Sequence, residues 1–302
     1  MRIAMTYTRL RTEERMLLDA FENIGVDATP VDIRKTVFDP MDQGEWSQYD
    51  AVIDRSLSLT NTLNSVRILE GYGMRCINPL STILACSDKL ATTIALSNAD
   101  VPTPRVRVAT TSQSGLQAVE QLGYPAVIKP TVGSWGRLVA RMNDQDAAEA
   151  ILEHRETLGS ASQNVFYIQE HIDKPGRDIR VFVVGGQPIA AIARSSAHWV
   201  TNTARGATVQ GIELTDELRD LSIRAVMATG ADIAAVDLLE CPTQGLLVNE
   251  LNHSMEFRNS IETTGVNIAE HVARHAAEIA ETHTATRTQS PAAQLVHEAI
   301  ST

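Results

Sequence analysis

Short apolar runs alternate with amphipathic stretches through the first 80 residues of the chain. Residues 2–7 (RIAMTY) are apolar enough for a buried strand. Met16, Leu17, Ala20, Phe21 and Ile24 then recur at helical spacing over residues 12–25, and Gly25 is suited to end that helix in a left-handed conformation. Residues 28–33 and 50–55 give two further short apolar runs, and strands separated by helices imply a parallel sheet. A helix is predicted over 87–104, capped by Ser87 and ended by Pro102 and Pro104. Beyond the prolines come a strand (124–130), a glycine-rich turn (132–137), a second strand (138–142), an acidic helix (144–156) and a strand over 166–172. From 178 onward strands dominate: 178–184 and 189–194 are joined by Gly185-Gly186, a strong hairpin signal. A helix over 215–230 precedes strands 233–240 and 246–252, and a helix over about 267–282 ends the fold. Residues 284–302, rich in Thr, Ala, Gln and Ser, read as a mobile tail.

Composition narrows the class. A chain of 302 residues with 43% hydrophobic content is ordinary for a globular protein of two or three packed units. No run reaches the roughly 18 apolar residues of a membrane span, and residues 1–15 lack the apolar core and cleavage site of a secretory signal. Cys76, Cys86 and Cys241 show no zinc or disulfide spacing and fit a reducing cytoplasm. The net charge of −11 disfavours nucleic acid, whose phosphates need a basic face. The basic residues are mostly arginine; the lysines are Lys35, Lys89, Lys129 and Lys174 only.

Several positions invite chemistry. Glu250 and Asn252, two apart on a strand, project from one face, and pairing around the turn 241–245 brings Asp237 opposite residue 249 or 250. Three oxygen-bearing side chains among apolar neighbours describe either a nucleotide-Mg²⁺ site or polar residues on a solvent-facing strand. Lys129 ends an apolar strand, where a lysine either snorkels or meets a phosphate. Gly133, Ser134, Trp135, Gly136 and Arg137 follow as an anion-holding loop or a plain hairpin turn. Lys89 stands in the first turn of a helix, and Gln169-Glu170 could meet an adenine edge. Arg194, His198, Asn202 and Arg205 form a donor-rich run suited to carboxylate or phosphate. The pattern G-x-x-x-x-G-K-[ST], G-x-G-x-x-G and the G-x-S-x-G elbow are absent, and His271 and His275 lack the glutamate of a zinc helix.

The order of these features resembles the ATP-grasp superfamily along residues 80–260. GSWGRLVARM, FYIQEHIDKPGRDIRVFVVG, RSSAHWVTNTARG and NELNHSMEFRNS narrow the resemblance to the LysX/ArgX branch. That resemblance implies an α/β (α+β ATP-grasp) fold: an N-terminal unit over 1–88, a lid subdomain over 89–174 and a catalytic subdomain over 175–283, with 284–302 as the tail. It implies that Lys89, Lys129 and the loop 133–137 hold ATP phosphates, and that Gln169, Glu170 and Ile172 line the adenine region. Asp178 and Arg180 would lie near the ribose and phosphates, and Asp237, Glu250 and Asn252 would hold Mg²⁺. Arg194 and Asn202 would face the transferring phosphoryl group, and Arg205, Arg258 and Asn259 the substrates. The implied reaction joins free α-aminoadipate or glutamate to a small acidic amino-group carrier protein, LysW-like, in a cytoplasmic homo-oligomer. The alternatives are a glutamate ligase acting on ribosomal protein or a poly-γ-glutamyl cofactor, or a nucleotide-binding module without catalysis. Arg9, Arg11 and Arg15 are candidates for a basic dock for an acidic carrier, with surface arginines lacking any partner as the other reading.

Overall fold

The computed structural model describes residues 1–133, 136–159, 164–201 and 206–288. Ser134, Trp135, Asn202, Arg205 and the segment 289–302 lie outside the described residues.

The first sheet is parallel, in the order β2-β1-β3-β4, from β1 (Arg2–Tyr7), β2 (Asp27–Asp32), β3 (Ala51–Arg55) and β4 (Arg75–Ile77). Ile3, Ala4, Met5, Val52 and Ile53 are fully buried, as a sheet covered on both faces requires. The crossover helices are α1 (Thr12–Asn23) and α2 (Leu59–Gly71), and α3 (Leu80–Ser87) follows β4. The helix predicted from Ser87 divides there. Ser87 closes α3, and Asp88 caps α4 (Lys89–Asn98), its Oδ1 accepting from the N–H groups of Leu90 and Ala91. α4 stops at Asn98, ahead of both prolines, where Asp100 turns to a positive φ of 53°.

A second, antiparallel sheet has the order β5-β8-β6-β7, from β5 (Val106–Ala109), β6 (Ala126–Lys129), β7 (Ala140–Met142) and β8 (Phe166–Glu170). Ala126, Ile128, Phe166 and Ile168 face a core shared with α5 (Ser112–Leu122) and α6 (Gln145–Leu158). The period of two sends Lys129 and Gln169 to the opposite face.

The third sheet is antiparallel, β11-β10-β9-β12-β13, from β9 (Arg177–Val184), β10 (Gln187–Ser195), β11 (Thr208–Ile212), β12 (Ile233–Cys241) and β13 (Gly245–Asn252). The Gly185-Gly186 hairpin joins β9 to β10 as the sequence predicts; both glycines have positive φ. One face packs through Ile179, Val181 and Val236 against α7 (Asp216–Thr229). The other is divided: Phe182, Val184, Ile192 and Ala235 join the core with α9 (Ile268–Thr288), while Asp178, Arg180, Arg194 and Asp237 carry the same face into a cavity. α9 continues beyond 282, and Thr284 donates to Asp50, so residues 284–288 belong to the helix rather than to a tail.

α8 (Arg258–Thr264) lies so close to β11 that a Cβ on Gly211 would stand 2.2 Å from the carbonyl oxygen of Thr263. Backbone has little room to yield, so Gly211→Ala is expected to destabilise the protein by at least about 2 kcal/mol. Denaturant unfolding reads this directly, and an unchanged midpoint would refute the close approach.

Asn78 ties the first sheet to the third. Its Nδ2 donates to the carbonyls of Ile233 (2.8 Å) and His253 (2.9 Å), and its Oδ1 accepts from the N–H groups of Asp232 and Ile233. All four hydrogen-bonding positions of a buried amide are thereby used, which fixes where β13 leaves the sheet.

Candidate active site

A cavity of 380 Å³ opens between the second and third sheets and is bounded on one side by loops of the first. Lys89, Lys129, Gly133, Gly136, Arg137, Gln169, Glu170, Ile172, Asp178, Arg180, Arg194, Asp237, Glu250 and Asn252 all line it. Residues read from separate segments of the sequence therefore share one space. Arg258 and Asn259 do not line it: both are exposed on α8, and Arg258 Nε lies 3.8 Å from Glu13 Oε1.

The register on β12 and β13 follows from a bulge. Asp237 pairs with Glu250 while Leu238 pairs with Val248, so Asn249 is an extra residue on β13. This resolves the one-residue ambiguity of the turn, and it lets Asn249 and Glu250 both face the cavity. Asn249 is a site residue that sequence reasoning missed, because no periodicity marks a bulge.

Charges in the cavity are paired in a chain. Asp237, buried, accepts both guanidinium bonds of Arg180 (2.7 and 2.8 Å) and lies 3.1 Å from Arg194 Nη2. Burial alone would raise its pKa; the two arginines outweigh that and hold the carboxyl well below its usual range. Arg194 also donates to Asp178 at 2.6 Å, and these carboxylates keep it charged despite its burial. Glu250 is half-exposed, with Lys89 Nζ 4.0 Å away.

The lysines converge. Lys89 Nζ donates to the carbonyl of Gly133 at 2.8 Å, and Lys129 Nζ to Gln169 Oε1 (2.8 Å) and Asn249 Oδ1 (3.1 Å). Burial pushes the Lys129 ammonium down to about 8, with Glu250 opposing the drop. Lys174, also missed, lines the same cavity 3.6 Å from Asp178, and burial lowers its pKa too. Its signal was scarcity: three of the four lysines meet here. Glu170 accepts from the N–H and the guanidinium of Arg105, so its carboxylate is occupied within the second sheet.

Arg11 is a correction. Arg9 and Arg15 are exposed, but Arg11 lines the cavity and binds Glu14 and Glu256, so the three do not form one surface patch.

Cations and carboxylates gather around one cavity between two antiparallel sheets, and the similarities to known proteins make the chain an ATP-dependent ligase of the ATP-grasp fold. The chain belongs to the RimK-like ATP-grasp family, whose model matches residues 86–276; a LysX pre-ATP-grasp domain model matches residues 3–85. It is 32% identical to the α-aminoadipate–LysW ligase LysX of Sulfolobus acidocaldarius, over 87% of this chain and 96% of that protein. It is 33% identical to the glutamate–LysW ligase ArgX of Sulfurisphaera tokodaii, over 89% of this chain and 96% of that protein. Among solved structures, the RimK domain ATP-grasp protein of Sphaerobacter thermophilus superposes with a TM-score of 0.73 at 26% identity, covering 92% of this chain and all of that one.

No helix among the described residues is long and apolar enough to cross a membrane. Nor does any group of three or more His, Cys, Asp or Glu among them stand ready to hold a metal.

Proposed function

We propose that the protein uses ATP and Mg²⁺ to join the α-amino group of free α-aminoadipate or glutamate to the side-chain carboxylate of a C-terminal glutamate on a small acidic, LysW-like carrier protein. The observation that carries this is the meeting of Lys89, Lys129, Glu250 and Asn252 in one cavity of a chain similar to both LysX and ArgX. A carboxylate resists an amine until one oxygen becomes a leaving group. Attack of that oxygen on the γ-phosphorus expels ADP and gives an acyl phosphate. The neutral amine then attacks the acyl carbon, phosphate leaves with its electron pair, and the remaining surplus proton on nitrogen passes to phosphate.

Such a sequence needs charge neutralisation and exclusion of water more than a nucleophilic side chain. Lys89 and Lys129 would bind the phosphates, and Arg194 and Arg180 would offset charge beside Asp237. Glu250 and Asn252 on β13 offer hard oxygens to Mg²⁺, and Asp237, whose two oxygens are held by Arg180 and Arg194, would have to share them with the ion; three such donors are too few for a complete shell and leave room for phosphate. When bound, the ion would neutralise phosphoryl charge. Gly136, with φ of 61°, and the loop from Gly133 to Arg137 would cover the phosphates.

Purified enzyme supplied with ATP, Mg²⁺, a LysW-type carrier and either amino acid should release ADP only when carrier and amino acid are both present. The carrier should gain the mass of one amino-acid residue. ADP release with a ribosomal-protein tail or a glutamylated cofactor instead would replace the acceptor, and no release with any acceptor would favour a module without catalysis.

Lys129 adds a pH dependence. Its pKa of about 8 in the free protein rises when a phosphate settles beside it, so binding takes up a proton near and above that pH. ATP affinity in metal-free buffer is therefore expected to fall as pH rises through about 8. Calorimetry in buffers of differing ionisation enthalpy measures both effects; flat affinity with no proton uptake from about pH 7 to about 9.5 would remove Lys129 from the phosphate site.

A further inference from the structure

The cavity has a second end that phosphate binding leaves unused. Its wall there comes from Arg11 after β1, Ser56 and Leu57 after β3, and Ser254 and Glu256 beyond β13. β1 and β3 are the neighbours at which the parallel sheet reverses its winding, since β2 lies outside β1 and β4 outside β3. Crevices beyond the carboxyl ends of strands at such a point are where open α/β sheets take ligands.

Arg11 is fixed from behind. Its Nε and Nη2 donate to the two oxygens of Glu14 at 2.9 and 2.8 Å, and Glu14 is fully buried. Glu14 also accepts from Arg55, itself buried and anchored to Ser254 Oγ and the carbonyl of Met255, both at 3.1 Å. The guanidinium plane of Arg11 is thereby set, and its Nη1 reaches Glu256 Oε1 at 2.9 Å across the cavity wall. The Arg11 side chain is 20% exposed and that of Glu256 43%, so this outer contact can open while the inner fork holds.

Arg11 and Glu256 already form one ion pair at this end of the cavity. A lone anion or cation would take one partner and leave the other without its counter-charge. The α-groups of an amino acid would not, because the carboxylate takes Arg11 while the ammonium takes Glu256, and one ion pair becomes two. We propose that Arg11 and Glu256 form the subsite that receives the α-carboxylate and α-ammonium of the amino-acid substrate, Glu256 taking the proton that the nitrogen sheds before it attacks as the neutral amine; this deepens the ligase reading above and rests on it.

The test titrates glutamate, α-aminoadipate and their desamino analogues, glutarate and adipate, into the full-length protein by calorimetry, beside steady-state kinetics with carrier. Wild type should bind the amino acids more tightly than the analogues. Arg11→Gln should raise both Kd and KM for the amino acid at least about tenfold, with the KM for ATP within about twofold, and Arg11→Lys should recover part of the loss. Glu256→Gln should erase the preference over the desamino analogues. A folded Arg11→Gln protein with unchanged amino-acid Kd, or with equal losses for ATP and amino acid, overturns the subsite. If Arg11→Gln does not fold, the exposed Glu256→Gln decides, and an intact preference for the amino acid overturns it. Absence of carrier-dependent ADP release in wild type would count against the ligase reading alone, because the binding titrations still judge the subsite.

Discussion

Glu250→Gln is expected to cut ligation by at least about a hundredfold while leaving thermal unfolding nearly unchanged. The two halves of this expectation have different sources. Glu250 is half-exposed and Lys89 stands 4.0 Å away, so the fold draws only modestly on its charge. Its pairing opposite Asp237, with Asn252 two residues on, places it among the oxygens proposed to share Mg²⁺ with ATP. Gln keeps the shape and one oxygen but loses the negative charge that a hard divalent ion requires. Asn252→Ala should behave similarly. ADP release and unfolding should be followed on the same preparations; full activity in folded Glu250→Gln would withdraw the metal assignment.

Asp237→Asn should fail on both counts. Asp237 is buried and shared by Arg180 and Arg194, so neutralising it takes the paired carboxylate from Arg180 and leaves Arg194 with Asp178. Losing one charged partner from a partly buried network of this kind costs about 1–3 kcal/mol. The folded-state pKa of Asp237 lies below its unfolded value, so this stabilisation is in place above about pH 4 and is lost only as pH falls through the folded pKa. Denaturant unfolding at neutral pH should therefore separate wild type from Asp237→Asn widely, and the gap should narrow in strong acid. A mutant as stable as wild type at neutral pH would mean that the two arginines do not depend on Asp237.

Much of the site was legible because strands carry a simple code. Alternation by two put Glu250 and Asn252 on one face, and the short turn after β12 brought Asp237 opposite them. The bulge at Asn249 was invisible, since an extra residue in one strand leaves no mark on hydrophobic period. The cap at α4 was misplaced by one residue because Ser87 and Asp88 both suit the position, and only the preceding helix α3 decides between them. Helices α2 and α5 went unassigned in stretches rich in Ser, Thr, Asn and Gln, residues that favour caps and turns as readily as helix interiors. Arg11 was taken for a surface charge, and no local pattern could show otherwise. The Arg55 that shares its carboxylate reaches Ser254, 199 positions along the chain.

The gathering of lysines has a practical consequence for anyone who labels this protein. Amine-acylating reagents usually decorate a surface at many points. Here Lys35 is exposed, and the other three lysines line the cavity in which the nucleotide is proposed to bind. Burial lowers the Lys129 pKa to about 8, which favours its acylation once the cleft admits the reagent. The number of acyl groups taken up, counted by intact mass, thus becomes a gauge of how often the cleft stands open and of what occupies it.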